Sequence, residues 1–460
     1  MNLPRLILAD DVGNPKVVPA SILLIQAMKS CGMRLNLFMS SRREEDLRLL
    51  EVLSGEPVCC VDAWTAGSAR NLKALFQRRG TPDAINVLSV PLGQGIEERI
   101  FQVYPEPLEL AKTLQCDILP LIQASTSAAV STNRALSVLS SLSESGKETV
   151  RGLLFSSVKN PREFQLLEQE YNRRCPTLSL GYIPQNVERD MPTMPELSPR
   201  NMSMKLLQMR SAALQLGNGV RQVEWQIIEA LARLNETWPP MEPLKYSASH
   251  LNVAVINRDV ALEGEENIEA FRALGCTVYP CNPEQDPFPA TADVLYFPHV
   301  IADVAAVRVL ENADFRQGLL KSVQGNKLIL ASGASAVLFG QHYRTASQNN
   351  LEGLGLFPFQ AHHARKGGEP GVRRIEMRGT KDTYFTKTNE KLRGYEIGGF
   401  SLANPGNLGQ SCLAYRNMNA EAETGVSGWS HSYCFVTGLR LDLWSALDVL
   451  YRWISLRKRK

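Results

Sequence analysis

Seven short apolar runs alternate with helical patterns over the first 185 residues, and this alternation restricts the fold more than any other feature. The runs are Arg5–Asp10, Arg34–Ser40, Pro57–Asp62, Ala84–Val90, Asp117–Gln123, Gly152–Val158 and Thr177–Pro184. Strands that are apolar on both faces and separated by helices predict a parallel sheet covered on both sides. Between the first two runs, Ile22, Ile25 and Met28 are spaced to share one face of a helix.

From Met202 to Leu234 the pattern reads as helical throughout, with Val223, Ile227, Leu231 and Leu234 on one face. Asn235–Pro243, with two consecutive prolines, reads as a linker. A second α/β series opens at His250–Asn257 and continues through TVYPC, DVLYFP and KLILASGAS. At 460 residues the chain exceeds one ordinary core. The expected fold is α/β, with two doubly wound α/β domains joined by a helical and Pro-rich connection. The expected divisions are 1–200, 201–249 and 250–460.

A formal net charge of +3 does not imply a nucleic-acid partner. The closing RKRK reads as a solvated tail. No run of about 18 apolar residues occurs, so no membrane span is expected. The start, MNLPRLILADD, lacks the pattern of a signal peptide. Nine cysteines occur without a CxxC pair, and Cys59–Cys60 sit in an apolar strand. Free thiols in a cytoplasmic protein are the plain reading.

Six strings occur in a recognisable order. They are RGLLFSSVKN with LSLGYIPQN, MPTMPELSPRNM, the stretch from Val253 to Pro280 containing Asp259 and Asn267, DPFPATADVLYFP with the following helix, KLILASGASAVLFG, and RGYEIGGFSL. Together they resemble the cobyrinate a,c-diamide synthase family over most of the chain. The resemblance implies an N-terminal P-loop domain that activates a carboxylate with ATP. It also implies a C-terminal glutamine amidotransferase domain that releases ammonia, with a tetrapyrrole carboxylate as the amidated group.

The residues at the matching positions depart from that chemistry. A phosphate cradle needs close-approaching backbone N–H groups, a Lys, and a Ser or Thr on Mg²⁺. Lys16 stands at the lysine position, but Pro15 supplies no N–H and Val17 cannot ligate a metal. Asp10 and Asp11 place negative charge where phosphates would lie. The family's acidic metal loop corresponds to Val87–Gly95, with Gln94 where an acid is expected. Asp62 remains as a carboxylate for a cofactor cation, and serves equally as a helix cap.

In LILASGASAVLFG, a buried strand, a tight turn and the start of a helix match a nucleophile elbow. Ser332, Gly333, Ala334 and Ser335 fall on the family's Glu-Cys-Gly-Gly, so Gly333 takes the nucleophile's place. Ser335 is the other nucleophile candidate and needs a nearby base. The family's oxyanion glycines correspond to Phe297–Val300, where Pro298 removes a donor. Its histidines would fall near Phe435 and Thr437. His431 is the displaced alternative, as a base or as a partly exposed structural histidine. Glu396 matches a family glutamate, while Gly398 stands where a histidine should be. His362 and His363 are adjacent, point apart, and read as loop residues; no metal site is expected.

Three functions follow. A catalytically silent family member would bind a tetrapyrrole, a corrinoid, a second copy or an active paralogue. An active enzyme would amidate tetrapyrrole carboxylates with ATP, Mg²⁺ and glutamine. A hydrolase would use Ser335 with His431. Loss at several separate loops favours the silent member, with no cofactor of its own.

Overall fold

The structure is a computed structural model that describes residues 2–11, 18–40, 44–97, 100–125, 127–143, 150–194, 202–364, 373–403, 411–418, 422 and 424–457. Its first sheet contains β1 (Arg5–Asp11), β2 (Leu35–Met39), β3 (Val58–Cys60), β4 (Ile85–Glu97), β5 (Ile100–Val103), β6 (Ile118–Gln123), β7 (Gly152–Val158) and β8 (Leu178–Pro184). The order is β3-β2-β4-β1-β6-β7-β8, with β5 antiparallel to β4 and the other pairs parallel. The apolar run in β1 works as its sequence implies: Ile7 and Ala9 enter one core, Leu6 and Leu8 the other. The stretch Val87–Gly95 is not a loop, because β4 runs through it into the hairpin with β5.

Eight helices accompany this sheet: α1 (Ala20–Ser30), α2 (Glu44–Ser54), α3 (Ala63–Ala66), α4 (Ala69–Arg79), α5 (Glu106–Leu114), α6 (Ala128–Ser143), α7 (Pro161–Asn172) and α8 (Gln185–Arg189). The helical stretch after residue 201 is two helices, α9 (Met202–Gly217) and α10 (Trp225–Arg233). The sequence Gly217-Asn218-Gly219 favours a break. The freed segment then pairs with the sheet edge: Tyr182 N–H donates to Gln222 O at 3.0 Å and Glu224 N–H to Leu180 O at 2.9 Å. Val223 therefore lies outside the helix and Leu234 is exposed, while Ile228, Leu231 and Ala232 are buried. Helix α9 covers α1, which is buried continuously from Ala20 to Met28.

The Pro-rich connection is anchored. Trp238 is buried, its ring 5.9 Å from that of Phe76 and under the Arg5 guanidinium at 4.2 Å. Beyond it lie β9 (Asn252–Ile256), α11 (Glu266–Ala273), β10 (Thr277–Cys281), β11 (Val294–Phe297), α12 (Ala302–Leu310), α13 (Ala313–Gln324) and β12 (Leu328–Ser332). The chain continues with β13 (His342–Arg344), β14 (Asn350–Glu352), β15 (Gln360–His363), β16 (Arg373–Gly379), β17 (Lys391–Glu396) and β18 (Phe400–Ala403). It closes with β19 (Leu413–Asn417), β20 (Gly425–Ser427), β21 (Trp429–His431), β22 (Cys434–Thr437), β23 (Arg440–Leu441) and α14 (Leu447–Ile454).

The second major sheet has the order β10-β9-β11-β12-β22-β21, parallel except at β21. Two further sheets, β14-β13-β15-β18 and β20-β19-β16-β17-β23, add mostly antiparallel structure beyond the two expected parallel sheets.

One buried cluster runs from Ile7 and Phe38 through Trp238 to Val253 and Leu330, joining the two major sheets. The open edge of β3 is closed by the segment before α11. Glu265 N–H donates to Val58 O at 2.9 Å, and Cys60 N–H donates to Glu266 Oε2 at 3.0 Å. Among the described residues, no helix is long and apolar enough to cross a membrane.

Candidate functional site

Strand β12 ends at Ser332 and turns directly into a 3-10 helix, Gly333–Phe339, rather than an α-helix. Gly333 has φ +67°, the left-handed conformation that a strand-to-helix elbow places at its apex. Its N–H donates to Leu439 O at 3.0 Å. The turn expected from the sequence is present, with no side chain at its apex.

The space beside that apex is filled by His299. A Cβ on Gly333 would come within 2.7 Å of His299 Cβ and 2.8 Å of its Nδ1. The same Nδ1 accepts the backbone N–H of Ala334 at 3.1 Å. An elbow uses the amide after the nucleophile to bind an oxyanion. Here that donor is already engaged by an imidazole of the same chain.

A buried polar network holds His299 in place. The His299 backbone N–H donates to Glu263 Oε2 at 3.0 Å, while Glu263 Oε1 accepts Tyr296 Oη at 2.5 Å and Asn267 Nδ2 at 3.2 Å. Asn267 also donates to Leu441 O at 2.9 Å and accepts Leu443 N–H at 2.7 Å. Ser332 Oγ accepts Leu441 N–H at 2.9 Å. These bonds fix the elbow against the chain at 439–443.

Ser335 and His431 are not brought together. Ser335 is buried and its Oγ donates to the Pro298 carbonyl at 2.5 Å. His431 is exposed on edge strand β21, opposite Cys434, which itself pairs with Ile329. That is three residues before Ser332, roughly 10 Å back along the strand. Beside the elbow, Ser332 pairs with Thr437, whose Oγ1 lies 3.0 Å from Ser427 Oγ and accepts Leu439 N–H. Glu396 ends β17, accepts Tyr415 Oη at 3.3 Å and faces Arg373 at 3.7 Å. His362 and His363 lie on strand β15 rather than a loop, both exposed.

The carboxyl end of the first sheet is the usual ligand crevice of a doubly wound fold. Lys16, Pro15 and Val17 lie outside the described residues. Asp10, at the end of β1, is buried and accepts the Ser21 N–H at 2.8 Å, in the first turn of α1. A carboxylate of the chain itself thus occupies an amide that an external anion would use. Burial pushes the Asp10 carboxyl up to about 7, against the Ser21 hydrogen bonds and aided by Glu188 and Asp46.

Asp62 caps α3, accepting Trp64 N–H at 2.7 Å and Thr65 N–H at 3.3 Å. Its other oxygen accepts Arg374 Nε at 2.8 Å and Tyr395 Oη at 3.1 Å. Arg374 also reaches Glu106 Oε1 at 2.5 Å, which Ser40 Oγ meets at 2.5 Å. Arg393 stacks on Trp64 at 4.3 Å. Arginines of the second half therefore neutralise the acids of the first. The Asp62 and Glu106 carboxylates thus already share one guanidinium. Among the described residues, no group of three or more His, Cys, Asp or Glu is arranged to hold a metal ion.

His299, Glu263 and Arg374 were not singled out by the sequence. A histidine just after an apolar strand, in YFPH, was the one visible signal for the first. Arg374 pairs with an acid 312 positions away, and nothing local marks it.

No protein-family model matches the chain. Among curated proteins, the chain is 19% identical over 399 residues to the cobyrinate a,c-diamide synthase of Caldanaerobacter subterraneus, covering 84% of this chain and 83% of that one. It is 22% identical over 382 residues to the enzyme of the same name from Listeria monocytogenes, covering 81% and 82%. Among solved structures, a glutamine amidotransferase overlaps 44% of this chain and 97% of its own at 12% identity, with a TM-score of 0.33, a likeness too slight to bear on function.

Proposed function

Because the chain is a distant member of the cobyrinate a,c-diamide synthase family, we propose that it binds a tetrapyrrole or corrinoid acid and does not amidate it. The working units of this reading are residues 1–200, the connection 201–249 and residues 250–460. Its setting is the cytoplasm, and a second copy or an active paralogue is its protein partner.

The observation that carries this reading is the His299–Ala334 hydrogen bond beside a side-chain-free Gly333. Glutamine hydrolysis needs a thiolate, a base and free oxyanion donors. At this elbow the first position is glycine and the amide after it is occupied. The loss of each such element typically costs about 10²-fold or more.

Active amidation with ATP and glutamine is the second reading. It is favoured by the extent of the match to enzymes named synthases, 84% of this chain. One experiment separates the two. Purified protein is incubated with ATP, Mg²⁺, glutamine and cobyrinic acid. Glutamate release is followed enzymatically, the corrinoid by mass spectrometry, and binding by equilibrium dialysis. Saturable binding without glutamate or amide supports the first reading. Amide formation establishes the second.

A further inference from the structure

A groove of about 440 Å³ opens where three parts of the chain meet. Helix α2 and the residues after it supply Arg48, Glu51, Val52, Gly55, Glu56 and Pro57. Helix α9 supplies Leu206, Leu207 and Arg210, and the second half supplies Arg258 and Glu265. Pockets of this size at junctions between chain segments are common ligand sites.

The floor of the groove is charged, buried and paired. Arg258 bridges Glu51 at 2.7 Å and Glu265 at 3.1 Å, and Arg48 meets Glu51 at 3.2 Å. Glu56 is held by Lys29, outside the groove, at 3.1 Å. Among the described residues, Arg210 is left as the groove's cation without a carboxylate partner. Its guanidinium lies across bare backbone: a Cβ on Gly55, which has φ +69°, would fall 1.9 Å from Arg210 Cζ. The glycine therefore gives the guanidinium its seat.

One wall is apolar. Leu207 is 68% exposed, and Met204, one turn earlier, is 66% exposed. Val52, Pro57 and Leu206 continue that surface. Exposed apolar side chains grouped on one face mark interaction surfaces more often than scattered ones do.

We propose that this groove takes the edge of a tetrapyrrole acid, with one carboxylate on Arg210 and the ring's apolar rim on Leu206 and Leu207. The assignment rests on the ligand class proposed above. Planar guanidinium and carboxylate pair in a bidentate manner, which fixes the orientation of the edge. A ligand seated here touches both halves and the connecting helix at once.

The test uses the full chain with two probes, cobyrinic acid and its methyl ester, in equilibrium dialysis. Arg210→Ala and Leu207→Asp are expected to weaken cobyrinic acid binding by about tenfold or more each. Arg221→Ala, an exposed arginine elsewhere, is expected to leave it unchanged. The ester is expected to bind wild type no better than the acid binds Arg210→Ala. Both groove residues are exposed, and equal melting temperatures confirm folding. Wild-type binding that survives both groove variants within about twofold, or that is equally tight for the ester, overturns the groove while leaving the ligand class standing. No wild-type binding of either probe overturns the ligand class, and the groove with it.

Discussion

His299 Nδ1 accepts the Ala334 amide at 3.1 Å, and its Cβ stands 2.7 Å from where a residue-333 side chain would begin. One side chain thus takes both the donor and the space that a nucleophile elbow needs. Gly333→Cys is expected to destabilise the fold by about 1–3 kcal/mol, through the collision and the φ of +67°. Adding His299→Gly removes the collision and is expected to recover part of that loss. Thermal unfolding of the two variants measures this. A fully stable Gly333→Cys single variant contradicts the packing described here.

Asp10 gives a pH prediction. Its folded-state value of about 7 lies above the ordinary value of about 3.9 for an unfolded aspartate. The fold therefore favours the protonated form. That contribution is fully present below about pH 4 and is lost as pH rises through about 7. Asp10→Asn keeps an acceptor for the Ser21 N–H and removes the charge. It is expected to stabilise the protein by roughly 1–3 kcal/mol at pH 8 and by little at pH 4.5. Melting temperatures of the two proteins across this range check the sign; a destabilised Asp10→Asn at pH 8 refutes it.

Arg374 is the shared cation of Asp62 and Glu106. Arg374→Ala leaves two buried carboxylates facing each other without it. A loss of about 2–3 kcal/mol is expected, below the value for a fully buried pair because Arg374 is 26% exposed. Neutralising the acids in the same background, with Asp62→Asn and Glu106→Gln, is expected to return part of the loss. Urea unfolding of the set decides it. An additive series shows that the three residues do not form one unit.

The first sheet was legible because each strand carries its own evidence. Leu6, Ile7, Leu8 and Ala9 fill both faces, and a short, wholly apolar run with polar residues on either side reads as a covered strand. The antiparallel sheets were not legible. Strands such as His342–Arg344 and Asn350–Glu352 bury one residue each, too short an alternation to stand out from a loop. At the elbow, sequence order located Gly333, and Pro298 showed a lost donor. That His299 would reach back to the Ala334 amide depends on how β11 and β12 are placed, which adjacent letters do not state. The same holds for Arg374 on β16 and Asp62 at the start of α3, which lie far apart in the chain.

Trp238 shows how a linker-like string conceals an anchor. It sits among prolines, yet it is buried against Phe76 and donates to Gln115 Oε1 at 2.8 Å. Trp238→Ala is expected to cost about 3–5 kcal/mol. Limited proteolysis should then cut first within 235–243. Wild-type stability in this variant shows that the connection does not hold the two sheets together.

Glutamate release from glutamine by the wild-type protein tests the central claim most directly. The measurement includes ATP, Mg²⁺ and cobyrinic acid, and uses a protein-free reaction as the background control. The account predicts release no faster from wild type than from the control, because the elbow has no nucleophile and its amide is held by His299. Release that exceeds the control and is abolished by Ser335→Ala would show that the elbow still does chemistry, contradicting the account.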